Sequence, residues 1–324
     1  LRNNDWKRPI YFTGGSYDEE EYFWMKEYLQ LEGLVYKLVP IRTPINPNNP
    51  YQMGRVDAEK MYEVVKKWDW GNADSPDIYH DPETRKNSIS FRSNISRLAE
   101  ALIDQGQSEK AIEVLDLAMD KMPLESFGYY SLLTPFVEAY YSAGAQAKAQ
   151  ILMQQLSKGY REYMNYYTGV SLDDQYSMSQ ELLAYVERYR SLVEAVVQAR
   201  DFEVLAEEFE LFYESILPFR YFYGDYDFYA ELQPFVSALY KANDNASGLN
   251  LYEKIAAAYQ NRLELYTSVQ EEDLAYYTSS INLDVEAYRS LLETLERHEQ
   301  DKKIIEEAQQ KFDAATARYE SLNL

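Results

Sequence analysis

The segment from Ile95 to Pro123 constrains the fold most, because its small and apolar residues follow the spacing of a helix-turn-helix repeat of about 34 residues. The matching positions fall in order on a first helix, a turn, a second helix and a closing proline: Ile95, Leu98, Ala99, Leu102, Gly106, Ala111, Leu115, Ala118 and Pro123. A unit of this kind buries its apolar face only by stacking on neighbouring helix pairs. The segment therefore predicts a chain built largely from stacked helices.

From about Ser88 onward the apolar residues keep helical spacing, and no segment shows the alternation of a strand. We predict a mainly α fold, a tetratricopeptide-like right-handed stack of helix pairs with a small α/β segment at its N-terminal end. The predicted limits are 1–82 for the small segment and 88–324 for the helical-repeat domain, with the regular repeat at 92–125.

A long internal repeat lies within the helical region. Residues 135–137, Pro-Phe-Val, recur at 234–236, and residues 189–192, Tyr-Arg-Ser-Leu, recur at 288–291. Both pairs of segments have the same offset of 99 residues (135 to 234, 189 to 288). An ungapped match over this distance predicts duplicated four-helix units at about 127–215 and 226–315.

The first seventy or so residues read differently from the rest of the chain. Residues 10–13 resemble a short strand, 20–31 have helical spacing, and 34–39 form a second apolar run. A strand, a helix and a strand in about thirty residues predict one βαβ unit. A further helix is expected from Asp57, and the turn-rich segment 71–82 predicts a domain boundary.

Composition excludes several classes of protein. With 54 acidic and 32 basic side chains the net charge is −22, which repels nucleic acid rather than binding it. The absence of cysteine excludes disulfides, thiolate zinc sites and cysteine nucleophiles. No stretch reaches the roughly 18 apolar residues that a membrane-spanning helix needs. We therefore expect a fragment that neither binds nucleic acid nor inserts into a membrane.

The sequence contains no pattern of catalytic or metal-ligating residues. The two histidines, His80 and His298, have no further ligand at a metal-site spacing, and both are expected to be exposed polar residues. Acidic residues are so abundant that a pair of them carries no specificity for hydrolysis. We predict no catalytic residue, no metal and no cofactor in this chain.

Aromatic residues are the most informative candidates for binding. The chain holds 32 tyrosines, and they are dense between the two duplicated units. Amphipathic rings can form a surface for an extended peptide or a sugar, but they can equally fill the junction between stacked helix pairs. Both interpretations stay open. The candidate ligand-binding residues are Tyr221, Tyr223, Tyr226, Tyr229, Tyr166 and Tyr167.

Several segments carry a family resemblance: 4–12 (Asn-Asp-Trp-Lys-Arg-Pro-Ile-Tyr-Phe), 28–34, 38–41, 70–72 and 91–102. They resemble the extracytoplasmic C-terminal part of a family of bacterial multi-pass membrane proteins of unknown function. In that family an N-terminal bundle of membrane helices is similar to the protein O-mannosyltransferases, and a tetratricopeptide-like tail follows. The resemblance implies that this chain is part of a longer protein, so no catalytic residue can be transferred to it.

The resemblance also implies a role. We expect a non-catalytic periplasmic binding or scaffold module of a membrane glycosyltransferase, one that holds an acceptor protein or glycan. Trp6, Arg8, Pro9 and Tyr11 would anchor this module to the membrane part. The alternative is a free-standing periplasmic glycan-binding protein, and a hydrolase is a third reading.

Overall fold

The computed structural model describes residues 7–13, 23–44, 54–128 and 132–319. The chain divides into two compact units, Leu1–Gly159 and Tyr160–Leu324. Helices dominate both units, and every strand within the described ranges precedes Ala58. The prediction of a mainly α chain with a small α/β segment near its start is therefore confirmed. The finer domain limits drawn from the sequence stay predictions.

A small sheet lies at the start of the first unit. Its strands are β1 (Tyr11–Thr13), β2 (Leu29–Glu32), β3 (Val35–Leu38) and β4 (Arg55–Val56). Their order across the sheet is β1, β3, β2, β4. Strand β3 pairs antiparallel with both β1 and β2, and β2 pairs parallel with β4.

The predicted βαβ unit is wrong. A 3-10 helix ends at Tyr28, and the apolar residues Leu29 and Leu31, assigned to a helix from their spacing, lie fully buried in strand β2. Gly33 has a positive φ of 74° and forms the turn of a β2–β3 hairpin. A short run of apolar residues fits a buried strand as well as a helix face, so tertiary pairing decided between them.

The remaining elements of the first unit are helices. They are α1 (Ala58–Val65), α2 (Pro82–Asp104), α3 (Ser108–Lys121), α4 (Leu124–Phe127) and α5 (Thr134–Ser142). Asp57 and Asp81 cap α1 and α2 by accepting hydrogen bonds from backbone N–H groups of their first turns. Gly106, with φ at 72°, allows the tight turn from α2 to α3. The apolar fingerprint residues between Ile95 and Ala118 are completely buried.

Arg92 is a completely buried cation in the first unit. Its guanidinium donates from Nη2 to the carbonyl of Met122 at 2.8 Å and from Nη1 to the carbonyl of Gly128 at 2.5 Å. These carbonyls end α3 and α4, where the helix dipole favours a positive charge. Burial lowers the pKa of Arg92 to about 10. Arg92 therefore ties two helix ends together and is not available to a ligand.

Helix α6 (Gln146–Thr168) contains the point at which the two units divide. The second unit continues with α7 (Leu172–Ser177), α8 (Ser179–Ala199), α9 (Phe202–Ile216), α10 (Asp225–Ala230), α11 (Gln233–Lys241), α12 (Asn245–Leu265), α13 (Glu271–His298) and α14 (Lys302–Thr316). Two 3-10 segments, Leu217–Phe222 and Tyr266–Ser268, follow α9 and α12.

The helix ends repeat with the offset seen in the sequence. Helices α5 and α11 begin 99 residues apart (134 and 233) and end 99 residues apart (142 and 241). Helices α6 and α12 also begin 99 residues apart (146 and 245), and α8 and α13 end 99 residues apart (199 and 298). One difference is that α13 is continuous where α7 and α8 are separate.

Candidate functional site

Three aromatic rings form a partly exposed cluster in the second unit, which we call the tyrosine platform: Tyr176, Tyr221 and Phe222. Ring centroids are 4.3 Å apart for Tyr221 and Phe222, 5.1 Å for Tyr176 and Phe222, and 5.9 Å for Tyr176 and Tyr221. Tyr176 is 59% exposed and Tyr221 is 38% exposed. The platform therefore presents apolar ring surface to solvent, which is a common feature of binding sites.

A buried amide fixes the orientation of the platform. The hydroxyl of Tyr221 donates to Oε1 of Gln175, and Nε2 of Gln175 donates to the carbonyl of Val170 at 3.1 Å. Gln175 lies on α7 beside Tyr176, and only 6% of its surface is exposed. Burial and the nearby Tyr176 raise the pKa of Tyr221. Rings held in this way lose little conformational freedom when a ligand packs on them.

The other tyrosines of the linking segment serve mainly as internal contacts. Tyr223 donates to a carboxylate oxygen of Glu187 at 3.1 Å, and Tyr226 donates to Asp284 at 2.5 Å. Tyr229 is half-buried and packs edge-on against Phe228, with centroids 5.2 Å apart. Of the four tyrosines proposed in this segment, Tyr221 is the one that joins the platform.

The remaining two candidates lie on different faces of α6. Tyr166 is 61% exposed, whereas Tyr167 is only 3% exposed and lies in the core. Burial, followed by Glu181, raises the pKa of Tyr167 to about 12. Tyr167 thus offers no accessible surface to a ligand, and its predicted binding role needs correction. Consecutive residues of a helix are rotated by about 100°, so two neighbouring tyrosines cannot share one face.

A buried carboxylate lies at the centre of a second cluster, which we call the carboxylate network: Asp284, Arg262, Tyr226 and Tyr266. Asp284 is 5% exposed and also accepts a hydrogen bond from Tyr266 at 3.2 Å. Nε of Arg262 lies 3.5 Å from Oδ2 of Asp284. Burial works to lower the pKa of Arg262, but Tyr266 and Asp284 outweigh it and raise that pKa.

The carboxylate network stabilises its own hydroxyls in the neutral form. Burial and the hydrogen bond to Asp284 raise the pKa of Tyr226, and burial followed by Asp284 raises that of Tyr266. The guanidinium of Arg262 also lies over both rings, 5.1 Å from the centroid of Tyr226 and 5.6 Å from that of Tyr266. Both carboxylate oxygens of Asp284 therefore have partners within the carboxylate network. This arrangement fits a structural role.

Within the described ranges, no group of three or more potential metal ligands comes together. The expectation that both histidines are exposed is wrong for His80. This residue is 8% exposed, its Nε2 lies 2.9 Å from the carbonyl oxygen of Ala73, and its ring packs on Phe127 at 4.4 Å. His298 is half-buried, as described below.

Three of the four residues expected to anchor the chain, Arg8, Pro9 and Tyr11, lie within or directly before strand β1. Trp6 falls outside the described residues, and Arg8 and Pro9 are exposed. Tyr11 is 47% exposed on β1, and its hydroxyl donates to Glu32 at 3.2 Å. Burial works to raise the pKa of Glu32, but its hydrogen bonds from Lys60 and Gln30 lower it. Tyr11 therefore has a partner within the sheet, and its anchoring role stays a prediction.

Sequence comparison links the start of the chain to a family. Residues 1–60 match the family model described as TMEM260-associated domain 2. Neither the curated proteins nor the solved structures contain a match to the chain. Across the residues that the structure describes, none of the helices combines the length and the apolar character needed to cross a membrane.

Sequence reasoning missed several of these residues. Tyr176 was not a candidate, although it lies directly after the amide that orients Tyr221. Arg262 and Asp284 were not singled out either. The internal repeat could have identified Arg262 and Asp284, because the offset of 99 aligns them with Tyr163 and Tyr185 (163 to 262, 185 to 284). When a charged pair replaces an aromatic pair at aligned positions of a repeat, the joint replacement predicts that the two positions are in contact.

Proposed function

We propose that this chain is a non-catalytic binding module on the periplasmic face of a membrane glycosyltransferase, where its tetratricopeptide-like helix pairs hold an extended segment of an acceptor protein. The tyrosine platform is the observation that carries this proposal. Two of its three rings are exposed, all three are in mutual contact, and a buried amide holds Tyr221 in place. Rigid tyrosine rings give a large contact area at a small cost in conformational entropy.

Two further observations support the attachment to a membrane protein. The match of residues 1–60 to the TMEM260-associated domain 2 model lies within residues 1–120, the part of the chain that carries the resemblance to the bacterial membrane family. The absence of cysteine is compatible with an oxidising compartment such as the periplasm. The proposed partners are a protein or peptide acceptor, and the proposed tether is a membrane domain.

A free-standing glycan-binding protein is the second candidate. It is favoured by polar groups beside the platform, where the ion pair between Arg220 and Asp225, at 3.5 Å, adjoins Tyr221 in the sequence. Sugar sites combine a ring face for the apolar side of a pyranose with charged groups for its hydroxyls. The same platform would then stack on a sugar instead of a peptide.

Calorimetric titrations of the chain with extended proline-containing peptides and with oligosaccharides test both candidates. The double variant Tyr176→Ala/Tyr221→Ala should weaken peptide binding by about tenfold or more, since aromatic anchors of an interface carry most of its binding energy. Tyr276→Ala is the matched control, because Tyr276 is 86% exposed and lies outside the platform. Sugar binding that depends on the platform would favour the second candidate, and binding of neither ligand class would refute both.

A further inference from the structure

A pocket in the second unit has a chemistry unlike the rest of this acidic chain. It has a volume of about 350 Å³ and lies between the α8–α9 turn and helix α11. Its walls are apolar at Val197, Phe202, Pro234 and Ala238, and polar at Arg200, Ser237 and Lys241. The volume suffices for a small ligand that has an apolar part and a charged group.

The two cations of the pocket have no acidic partner. Arg200 and Lys241 are both exposed, and within the described part of the chain neither forms an ion pair with a carboxylate. Two uncompensated positive charges beside a concave apolar surface attract an anion and raise its local concentration.

The backbone of Arg200 adopts a conformation that favours glycine. Its φ is 57°, in the left-handed region, where it ends helix α8. At the corresponding turn of the first unit, between α2 and α3, the residue with positive φ is Gly106. A non-glycine residue in this region costs about 1 kcal/mol. Glycine at position 200 would avoid this cost, but it would leave the pocket without a guanidinium.

A histidine, His298, contacts one of the polar residues that line the pocket, Ser237. Oγ of Ser237 lies 2.9 Å from Nε2 of His298, and the ring of His298 stacks on Tyr240 with centroids 5.7 Å apart. Burial, then Lys241 and then Arg297, lower the pKa of His298. The lowered pKa favours the neutral ring, which can accept a hydrogen bond from the hydroxyl of Ser237. An anion bound between Arg200 and Lys241 would offset their positive charge. It would therefore raise the pKa of His298.

Helix α5, the equivalent of α11 in the first copy, lacks the polar residues that α11 contributes to the pocket. With the offset of 99, Ser237 and Lys241 on α11 correspond to Glu138 and Ser142 on α5 (237 to 138, 241 to 142). The equivalent helix thus has an acidic side chain where the pocket has a hydroxyl, and a hydroxyl where the pocket has an ammonium. The hydroxyl of Ser237 and the ammonium of Lys241 are therefore specific to the second copy, whereas Arg200 lies in the first copy, where the offset of 99 aligns it with Glu299.

We propose that this pocket binds a small phosphate monoester, with the phosphate between Arg200 and Lys241 and its apolar substituent against Phe202 and Pro234. Arginine offers a planar fork of donors and lysine a point charge, and both suit the oxygens of a phosphate. Ser237 adds a hydroxyl at the same end of the pocket. The phosphate can belong to a soluble ester or to a lipid headgroup. This site is independent of the tyrosine platform.

The two histidines make the test direct, because proton NMR follows each imidazole separately through a pH titration. The probes are inorganic phosphate, phenyl phosphate, and phosphatidylcholine vesicles with and without phosphatidic acid, all at constant ionic strength. Phenyl phosphate should raise the pKa of His298 by about one pH unit, the effect of a nearby opposite charge. His80, buried in the first unit, is the internal control and should not respond.

The probes distinguish the source of the phosphate. Phenyl phosphate that binds about tenfold more tightly than inorganic phosphate indicates a soluble ester, since burying the ring adds apolar contact. A response confined to vesicles that contain phosphatidic acid indicates a lipid headgroup. If His298 shows no change with any of the four probes, or the same change in sodium chloride alone, the proposal is wrong.

Variants separate binding from folding. Lys241→Gln should weaken phenyl phosphate binding by about tenfold, while Lys241→Arg should retain it. Arg200→Gly should lose affinity to a similar extent although it relieves backbone strain and leaves the fold at least as stable. Lys311→Gln, which removes an exposed cation of α14, is the charge-matched control. Wild-type affinity in both pocket variants, or an equal loss in the control, would contradict the assignment.

Discussion

The two copies of the repeat place different side chains at equivalent positions between their helices. In the first copy Tyr163 stacks on Tyr185, with centroids 4.4 Å apart and ring planes 17° apart. In the second copy the aligned positions hold Arg262 and Asp284, whose charged groups are 3.5 Å apart. An aromatic pair and an ion pair therefore occupy equivalent places between equivalent helices.

A neighbouring pair is the same in both copies. Tyr160 stacks on Tyr189 with centroids 5.6 Å apart, and the aligned Tyr259 stacks on Tyr288 at 5.7 Å. Because this stack has the same separation in both copies, it sets the spacing of the two helices that carry it. The comparison teaches that shared positions build the helical scaffold, whereas positions that differ give each copy its own electrostatics.

The largest expected effect comes from removing the buried carboxylate of the second copy. Asp284→Ala would leave the hydroxyls of Tyr226 and Tyr266 without their acceptor and Arg262 without its counter-ion. We expect a loss of about 3 kcal/mol in the free energy of unfolding, at the lower end for a broken buried pair because the side chain of Arg262 is 41% exposed.

Urea unfolding followed by circular dichroism measures this loss. Asp273→Ala is the matched control, because Asp273 is an exposed aspartate in the first turn of the same helix, α13. Its removal should cost about 0.5 kcal/mol through the helix dipole. Equal losses in the two variants would show that the carboxylate network contributes nothing of its own.

A smaller effect separates the two shared tyrosines. The hydroxyl of Tyr189 donates to Glu208 at 2.5 Å and accepts from Arg161 at 3.0 Å, whereas that of Tyr288 accepts only from the neutral amide of Gln260 at 2.6 Å. Tyr189→Phe should therefore cost about 2 kcal/mol and Tyr288→Phe about 1 kcal/mol, since bonds to charged groups are stronger. A larger cost for Tyr288→Phe in the same unfolding experiment would contradict this ranking.

Alkaline pH should reduce stability by ionising buried tyrosines in both copies. The stability at neutral pH is not affected, because these tyrosines are neutral there. Burial and Glu181 raise the pKa of Tyr167 to about 12, and burial and Asp284 raise that of Tyr259 to about 12, from an ordinary value of 10.0. A raised pKa in the folded state contributes stability that is complete below pH 10 and is lost as the pH rises towards 12.

The free energy of unfolding measured at intervals from pH 9 to 12, together with phenolate absorbance, checks this expectation. The double variant Tyr167→Phe/Tyr259→Phe should show a shallower loss of stability over the same interval. Stability that does not change above pH 10, in the wild type, would be the opposite of the expected result.

The sequence predicted the helices better than the sheet. The fingerprint between Ile95 and Pro123 depends on small residues at fixed spacing, and these residues are buried as expected. The prediction for residues 29–32 was wrong because four residues cannot distinguish a strand from a helix. Their strand structure depends on pairing with β3, directly after the turn, and with β4, further along the chain.

The candidate site was predicted only in part. Aromatic density identified Tyr221 but not its neighbour Tyr176, and it included Tyr167, which is buried. Composition shows that rings are abundant, but exposure depends on how each helix is rotated against its neighbours. That rotation is a tertiary property, which the residue types alone do not contain.

Residues that differ between the two copies should be exchangeable without a large loss of stability, because the shared residues build the scaffold. A triple exchange tests this expectation most directly. The variant Tyr226→Phe/Arg262→Tyr/Asp284→Tyr gives the second copy the residues found 99 positions earlier, at Phe127, Tyr163 and Tyr185. Replacing a buried ion pair by well-packed apolar groups is often neutral. We predict a free energy of unfolding within about 1 kcal/mol of the wild type, against a loss of about 3 kcal/mol for Asp284→Tyr alone. A triple variant as unstable as that single variant would contradict the claim.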